Sequence, residues 1–262
     1  MHLSKILCSI VLFALSALSP SQAGNELARA IETVKPSIVG IGSFQKLRSP
    51  SVIFSGTGFV VGDGLTVLTN AHVVQAIVNS EQKDMLGIMI GMGDTVQFRS
   101  ATLEALDKEH DLAQLSIVGP ALPALKLGDS GSVTEGQAMA FTGFPLGLVL
   151  GLHHVTHRAL VSSITPVVMP SMSARQLNPR LITQLHKPLY DVFQLDATAY
   201  PGSSGSPLYD PETGLVYGVI NMVYVKGLKE AAISNPSGIT YAIPAHFLRA
   251  MMGQKQTKNL SQ

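Results

Sequence analysis

Beyond residue 36 the apolar positions fall into short β-branched runs separated by Gly, Pro, Asp and Ser. The runs read as strands are Ser37–Ile41, Val52–Val61, Thr66–Thr69, Leu86–Ile90, Val96–Leu106, Leu112–Val118, Gln137–Gly143, Val155–Ile164, Val192–Leu195, Leu215–Tyr224 and Ile239–Ile243. Strands at this spacing, with hardly a helix between them, predict sandwiches or barrels rather than βαβ units. Helical spacing occurs only near the ends. Leu27, Ala30, Ile31 and Val34 lie on one face of an expected helix Asn25–Val34, which Pro36 stops. Pro244 can open a closing helix, Ala245–Met252. The Pro- and Gly-rich stretch 119–131 divides the chain into two all-β halves, and residues 167–188 form a second loop-like region. The expected organisation is a first β-domain over 24–125, a second over 126–252 and a frayed polar tail over 253–262.

The first 23 residues follow different rules. Lys5 precedes the apolar stretch Ile6–Leu18, and Ser21-Gln22-Ala23 offers small residues where a signal peptidase acts. The run falls short of the roughly 20 apolar residues that span a bilayer, so a cleaved signal peptide over 1–23 is expected, with an exported product, periplasmic or secreted. Cys8 lies too early for a lipid-modified cysteine. Removal of this segment takes away the only cysteine, so the core alone must hold the fold.

Charge narrows the function. The sequence holds 18 Lys+Arg and 17 Asp+Glu, and charged residues make up 13% of it. Globular domains carry about 25%. With 46% apolar residues the chain is not disordered, and with no basic excess it is a poor nucleic-acid ligand. No later stretch is a candidate membrane segment.

The candidate chemistry begins at Tyr200-Pro-Gly-Ser-Ser-Gly-Ser-Pro-Leu208. A serine nucleophile needs a tight turn that exposes its hydroxyl and backbone N–H groups aimed at the developing oxyanion. Ser204 fits, with the N–H groups of Gly202 and of Ser204 itself as donors. Serine also needs a base, for which His72 in Leu68-Thr-Asn-Ala-His-Val-Val74 is the best candidate. Asp111, ahead of the apolar run Leu112–Ile117, can fix the imidazole, whereas Asp107 sits in a charged turn and reads as solvated. Singly, each segment has an ordinary structural reading: a Gly/Ser turn, a strand-end histidine, a turn aspartate.

Jointly these segments resemble the trypsin-like serine peptidases of the HtrA type. The resemblance rests on Gly56-Thr-Gly-Phe59, Thr69-Asn-Ala-His-Val-Val74, His110-Asp-Leu-Ala-Gln-Leu115, Gly143-Phe-Pro-Leu-Gly-Leu148, Pro201-Gly-Ser-Ser-Gly-Ser-Pro207 and Tyr241-Ala-Ile-Pro244. The order His, Asp, Ser differs from the Ser, acid, His order of α/β-hydrolases. The resemblance implies an all-β fold of two six-stranded antiparallel barrels with the triad His72, Asp111 and Ser204 in the cleft. It implies polypeptide substrates and no cofactor. It implies that Asn221, Met222 and Val223 pair with the peptide main chain, and that Thr198, Val223 and Gly238 line an uncharged pocket for a small or medium apolar P1 residue. Homo-oligomers are left open.

Four departures from the family pattern stand out. Ser203 replaces the Asp that pairs with a new N-terminus in trypsin-like enzymes, Ser206 replaces a glycine, and Ala159 replaces another. A PDZ domain, usual in the HtrA type, is not expected here. The alternative reading is a latent or degenerate member that binds peptides without cutting them. His153-His-Val-Thr-His157 places two histidines on one face of a strand, but it lacks the Glu of a metalloprotease helix, and no metal is assigned to it. Met85, Met89, Met92, Met169 and Met172 read as core and loop residues.

Overall fold

The computed structural model describes residues 23–80, 84–91, 96–147, 151–167, 190–221 and 238–259. Twelve strands form two closed antiparallel barrels. The first contains β1 (Ile38–Phe44), β2 (Val52–Val61), β3 (Thr66–Asn70), β4 (Met85–Ile90), β5 (Gln97–Asp107) and β6 (Leu112–Ile117). The second contains β7 (Ala138–Gly143), β8 (Val155–Pro166), β9 (Asp191–Asp196), β10 (Pro207–Tyr209), β11 (Val216–Asn221) and β12 (Ile239–Pro244). Around the first barrel the order is β1-β2-β3-β6-β5-β4, and the second repeats it as β7-β8-β9-β12-β11-β10. Closure pairs every edge strand, which removes the exposed ladders of an open sheet.

Each barrel has its own apolar filling. Val39, Ile41, Val67, Ile88 and Leu115 pack inside the first, and Phe141, Val161, Leu195, Leu208 and Ile220 inside the second. A third cluster lies between them, where Phe59, Leu68 and Leu112 meet Phe144, Val219 and Ile243. The connecting segment is stitched to both barrels. Leu125 N–H donates to Val60 C=O at 2.8 Å, and Gly128 N–H to Val216 C=O at 2.7 Å.

Helix α1 (Ala23–Val34) adds Ala30 and Val34 to the shared cluster. Helix α2 (Ala71–Val78) is absent from the sequence reading, because Ala-His-Val-Val-Gln-Ala-Ile-Val is β-branched and short. Helix α3 starts at Ala245 as expected and continues to Asn259, past the expected end at Met252. Strand β10, three residues long, is also new. The expected signal peptide lies almost wholly outside the described residues, and so does nearly all of the 167–188 loop. No helix among the described residues is long and apolar enough to cross a membrane.

Candidate active site

His72 is the second residue of α2, directly after β3. Helix α2 begins without a side-chain cap from Asn70. The Asp111 carboxylate does that work instead: its Oδ1 accepts the His72 backbone N–H at 2.8 Å, and its Oδ2 lies 2.5 Å from His72 Nδ1. An acidic group is favourable at the positive end of a helix. Asp111 itself ends the β5–β6 turn at φ +54°, a conformation that Asp tolerates better than most residues. Its carbonyl accepts from Ala71 N at 3.0 Å and Asn70 Nδ2 at 3.1 Å. One aspartate thus holds both the helix start and the imidazole.

The same turn corrects the reading of Asp107. Its carboxylate accepts the backbone N–H groups of Glu109 and His110, each at 3.0 Å, and lies 2.6 Å from His110 Nδ1. Partial burial works to raise its pKa. The hydrogen bonds and the charge of His110 outweigh that and hold the carboxyl below the ordinary value. Asp107 therefore braces the turn that carries Asp111. The turn is further packed by the ring of Phe247, stacked 3.9 Å from that of His110.

Ser204 comes from the second barrel, in the turn between β9 and β10. Two of its glycines are required by conformation, Gly202 at φ +99° and Gly205 at φ +87°. A Cβ on Gly205 would lie 2.0 Å from Thr57 C=O. The backbone N–H groups of Ser203, Gly205 and Ser206 donate to Tyr200, Ile220 and Ser203 carbonyls. Those of Gly202 and Ser204 have no acceptor among the described residues. These are the two N–H groups that an oxyanion would need. The Ser204 hydroxyl makes no hydrogen bond among the described residues; contacts between nucleophile and base are often long before substrate arrives.

The Asn221 side chain makes a contact that the resemblance does not imply. It is buried and donates from Nδ2 to Asp111 Oδ2 at 2.8 Å. Thr198 is half-buried and Gly238 exposed, while Met222 and Val223 lie outside the described residues. The sequence reading missed Thr240, whose hydroxyl donates to Ala197 C=O at 2.7 Å and accepts from Ala199 N at 3.1 Å, bracing the chain around Thr198. It also missed Thr57, which touches the Ser204 turn at several points.

The histidines of the His153–His157 segment have different surroundings. His153 precedes β8, and His154 is half-buried with its Nε2 3.4 Å from the Ile38 carbonyl. His157 stacks on Phe141 at 4.9 Å. Among the described residues no three His, Cys, Asp or Glu side chains form a metal-holding group.

Comparison with known proteins agrees with this fold. A family model described as trypsin-like peptidase domain matches residues 56–219. The chain is similar to human serine protease HTRA3, with 29% identity over 99% of this chain and 51% of that protein. It is 28% identical to a probable periplasmic serine endoprotease DegP-like of Halomonas elongata, over 72% of this chain and 32% of that one. Among solved structures, the HtrA-type protease AlgW with decapeptide superposes with a TM-score of 0.61 at 22% identity, covering 86% of this chain and 66% of that chain. The chain spans about half the length of human HTRA3, and less of the DegP-like protein.

Proposed function

Since the chain belongs to the trypsin-like peptidase domain family, we propose that it is an exported serine endopeptidase working through His72, Asp111 and Ser204. The observation that carries this reading is the Asp111 carboxylate at 2.5 Å from His72 Nδ1. A carboxylate there keeps the ring proton on Nδ1 and leaves Nε2 as the base.

In this reading Ser204 Oγ attacks the peptide carbonyl carbon while His72 Nε2 takes its proton. Negative charge forms on the carbonyl oxygen and is met by the Gly202 and Ser204 N–H groups. Asp111 stays ionised and stabilises the imidazolium. The C–N bond then breaks, His72 gives its proton to the leaving amine, and an acyl ester remains on Ser204. Water, activated by the same imidazole, attacks the ester and restores the serine. No cofactor enters any step.

The substrate is a polypeptide. The uncharged Thr198, Val223 and Gly238 favour a small or medium apolar P1 residue, and the Asn221–Val223 main chain would pair with the substrate as an added strand. Export is supported by the apolar stretch Ile6–Leu18 and by the similarity to a DegP-like protein described as periplasmic. The test is Ser204→Ala, which should abolish peptide hydrolysis while leaving thermal unfolding nearly unchanged. Cleavage that persists in this variant sinks the assignment.

A second reading, a latent or degenerate site, is favoured by one observation: the Ser204 hydroxyl has no hydrogen bond to His72 among the described residues. Reaction of Ser204 with a small active-site probe, without peptide hydrolysis, would indicate latency. No reaction of the folded protein would indicate degeneracy.

A further inference from the structure

The Ser204 turn carries two unspent N–H groups, and something must keep them pointing into the cleft. In a trans peptide the N–H and C=O point opposite ways. Each donor is therefore aimed by whatever holds the carbonyl on its own peptide plane. The Gly202 N–H shares a plane with the Pro201 carbonyl, which accepts from Leu146 N at 2.7 Å. The Ser204 N–H shares a plane with the Ser203 carbonyl, which accepts from Ser206 N at 3.0 Å. Between them lies the Gly202–Ser203 plane. Its N–H donates to Tyr200 C=O at 2.9 Å, and its carbonyl accepts from the Thr57 hydroxyl at 2.7 Å.

Thr57 does more than hold one carbonyl. It is fully buried in the first barrel, on β2. Its Oγ1 also accepts from the backbone N–H of Phe144 at 3.1 Å, and its own N–H donates to Ser204 C=O at 2.9 Å. Its carbonyl in turn accepts from the Thr69 hydroxyl at 2.7 Å, which fixes Thr57 against β3. The hydroxyl is thus a relay between Phe144, at the head of the segment that supplies Leu146 N–H, and Gly202, the residue whose donor Leu146 aims. Without it, the buried Phe144 N–H and the part-buried Gly202 C=O lose their partner. Gly202 at φ +99° can then turn to relieve them.

Resting on the catalytic reading above, we infer that the Thr57 hydroxyl is a positioning group that holds the oxyanion donors of Gly202 and Ser204 open. It takes over a task that Ser203 cannot perform. Ser203 is neutral and 1% exposed, and its hydroxyl has no partner among the described residues. The lock is a neutral hydroxyl reaching across the two barrels, so it requires no newly cut N-terminus.

The test compares wild type with Thr57→Val, which keeps the shape and loses the hydroxyl, and Thr57→Ser, which keeps the hydroxyl. Each protein is reacted with a fluorophosphonate and then assayed on p-nitrophenyl butyrate, with thermal unfolding as the check on folding. Thr57→Val is expected to slow phosphonylation about 10- to 100-fold and to lower kcat with KM little changed. That is less than the ~10²–10³-fold loss on removing an oxyanion donor itself. Thr57→Ser is expected to stay within about three-fold of wild type. Should Thr57→Val not fold, Thr57→Ala carries the same comparison. Equal reactivity of wild type and Thr57→Val overturns the inference and leaves the catalytic reading intact. So does an equal loss in Thr57→Ser, which would assign the effect to the methyl group. A folded wild type that does not react removes the catalytic reading, and the inference with it.

Discussion

Asp111 shows how much can depend on one residue. It accepts from the His72 main chain, the His72 ring and Asn221, and its own backbone adopts φ +54°. In Asp111→Asn, an amide N–H₂ in the Oδ2 position would face the Asn221 N–H₂ donor and push His72 into the other tautomer. We expect kcat/KM to fall about 10⁴-fold with the thermal midpoint little changed; a loss below about ten-fold would remove Asp111 from the triad. Asn221→Leu leaves Oδ2 one donor short. A hydrogen bond to a charged group is worth about 1.5–3 kcal/mol, so kcat/KM should fall at least about ten-fold, and unchanged kinetics would make Asn221 a plain core residue. Ser203 points the other way. Its buried hydroxyl has no partner among the described residues, so Ser203→Ala should raise unfolding stability in urea by about 1 kcal/mol. A loss of stability would mean that the hydroxyl is satisfied. Asp111 was legible because an apolar strand follows it. The roles of Asn221 and Thr57 were not, because each depends on a partner more than 100 positions away in the chain.

At the level of elements, runs bounded by turn residues were legible, and α2 and β10 were not. β2 spans the expected Val52–Val61, which is apolar at both ends and bounded by Ser51 and Gly62. β10 has three residues and owes its existence to pairing with β7 and β11. α2 has a β-like composition, yet it is held at its start by Asp111 and by the burial of Val73, Val74 and Ile77. β8 carries a pH dependence. His157 is lowered in pKa by burial against Phe141, and His154 just before the strand is lowered chiefly by burial. In the unfolded chain both return to about 6.5. Below that value the unfolded state binds more protons, so their contribution is fully present above pH 6.5 and is lost as the pH falls through the folded values. The thermal midpoint should therefore drop between pH 7.5 and pH 5. His157→Phe should flatten that drop, because a phenyl ring preserves the stack and takes no proton. Parallel curves for the two proteins would show that His157 does not couple folding to pH.

On the scale of the whole molecule, two barrels with one strand order meet at a shared apolar cluster, and the candidate site straddles that junction. The first barrel supplies His72, Asp111 and Thr57, and the second supplies Ser204 and Asn221. Function in this reading depends on register between the barrels as much as on either alone. Two all-β halves were legible in the strand runs and in the Pro- and Gly-rich stretch 119–131, whereas two barrels followed only from the resemblance carried by the motifs. How the barrels grip each other was not, since that lies in backbone hydrogen bonds such as Thr57 N–H to Ser204 C=O at 2.9 Å. The central claim is that this junction assembles an activated Ser204, and the most direct measurement is fluorophosphonate labelling of the protein followed by mass mapping of the modified residue. The account predicts a single adduct on Ser204 that is lost in His72→Ala. A well-folded protein that takes up no label, or labels elsewhere, would contradict it.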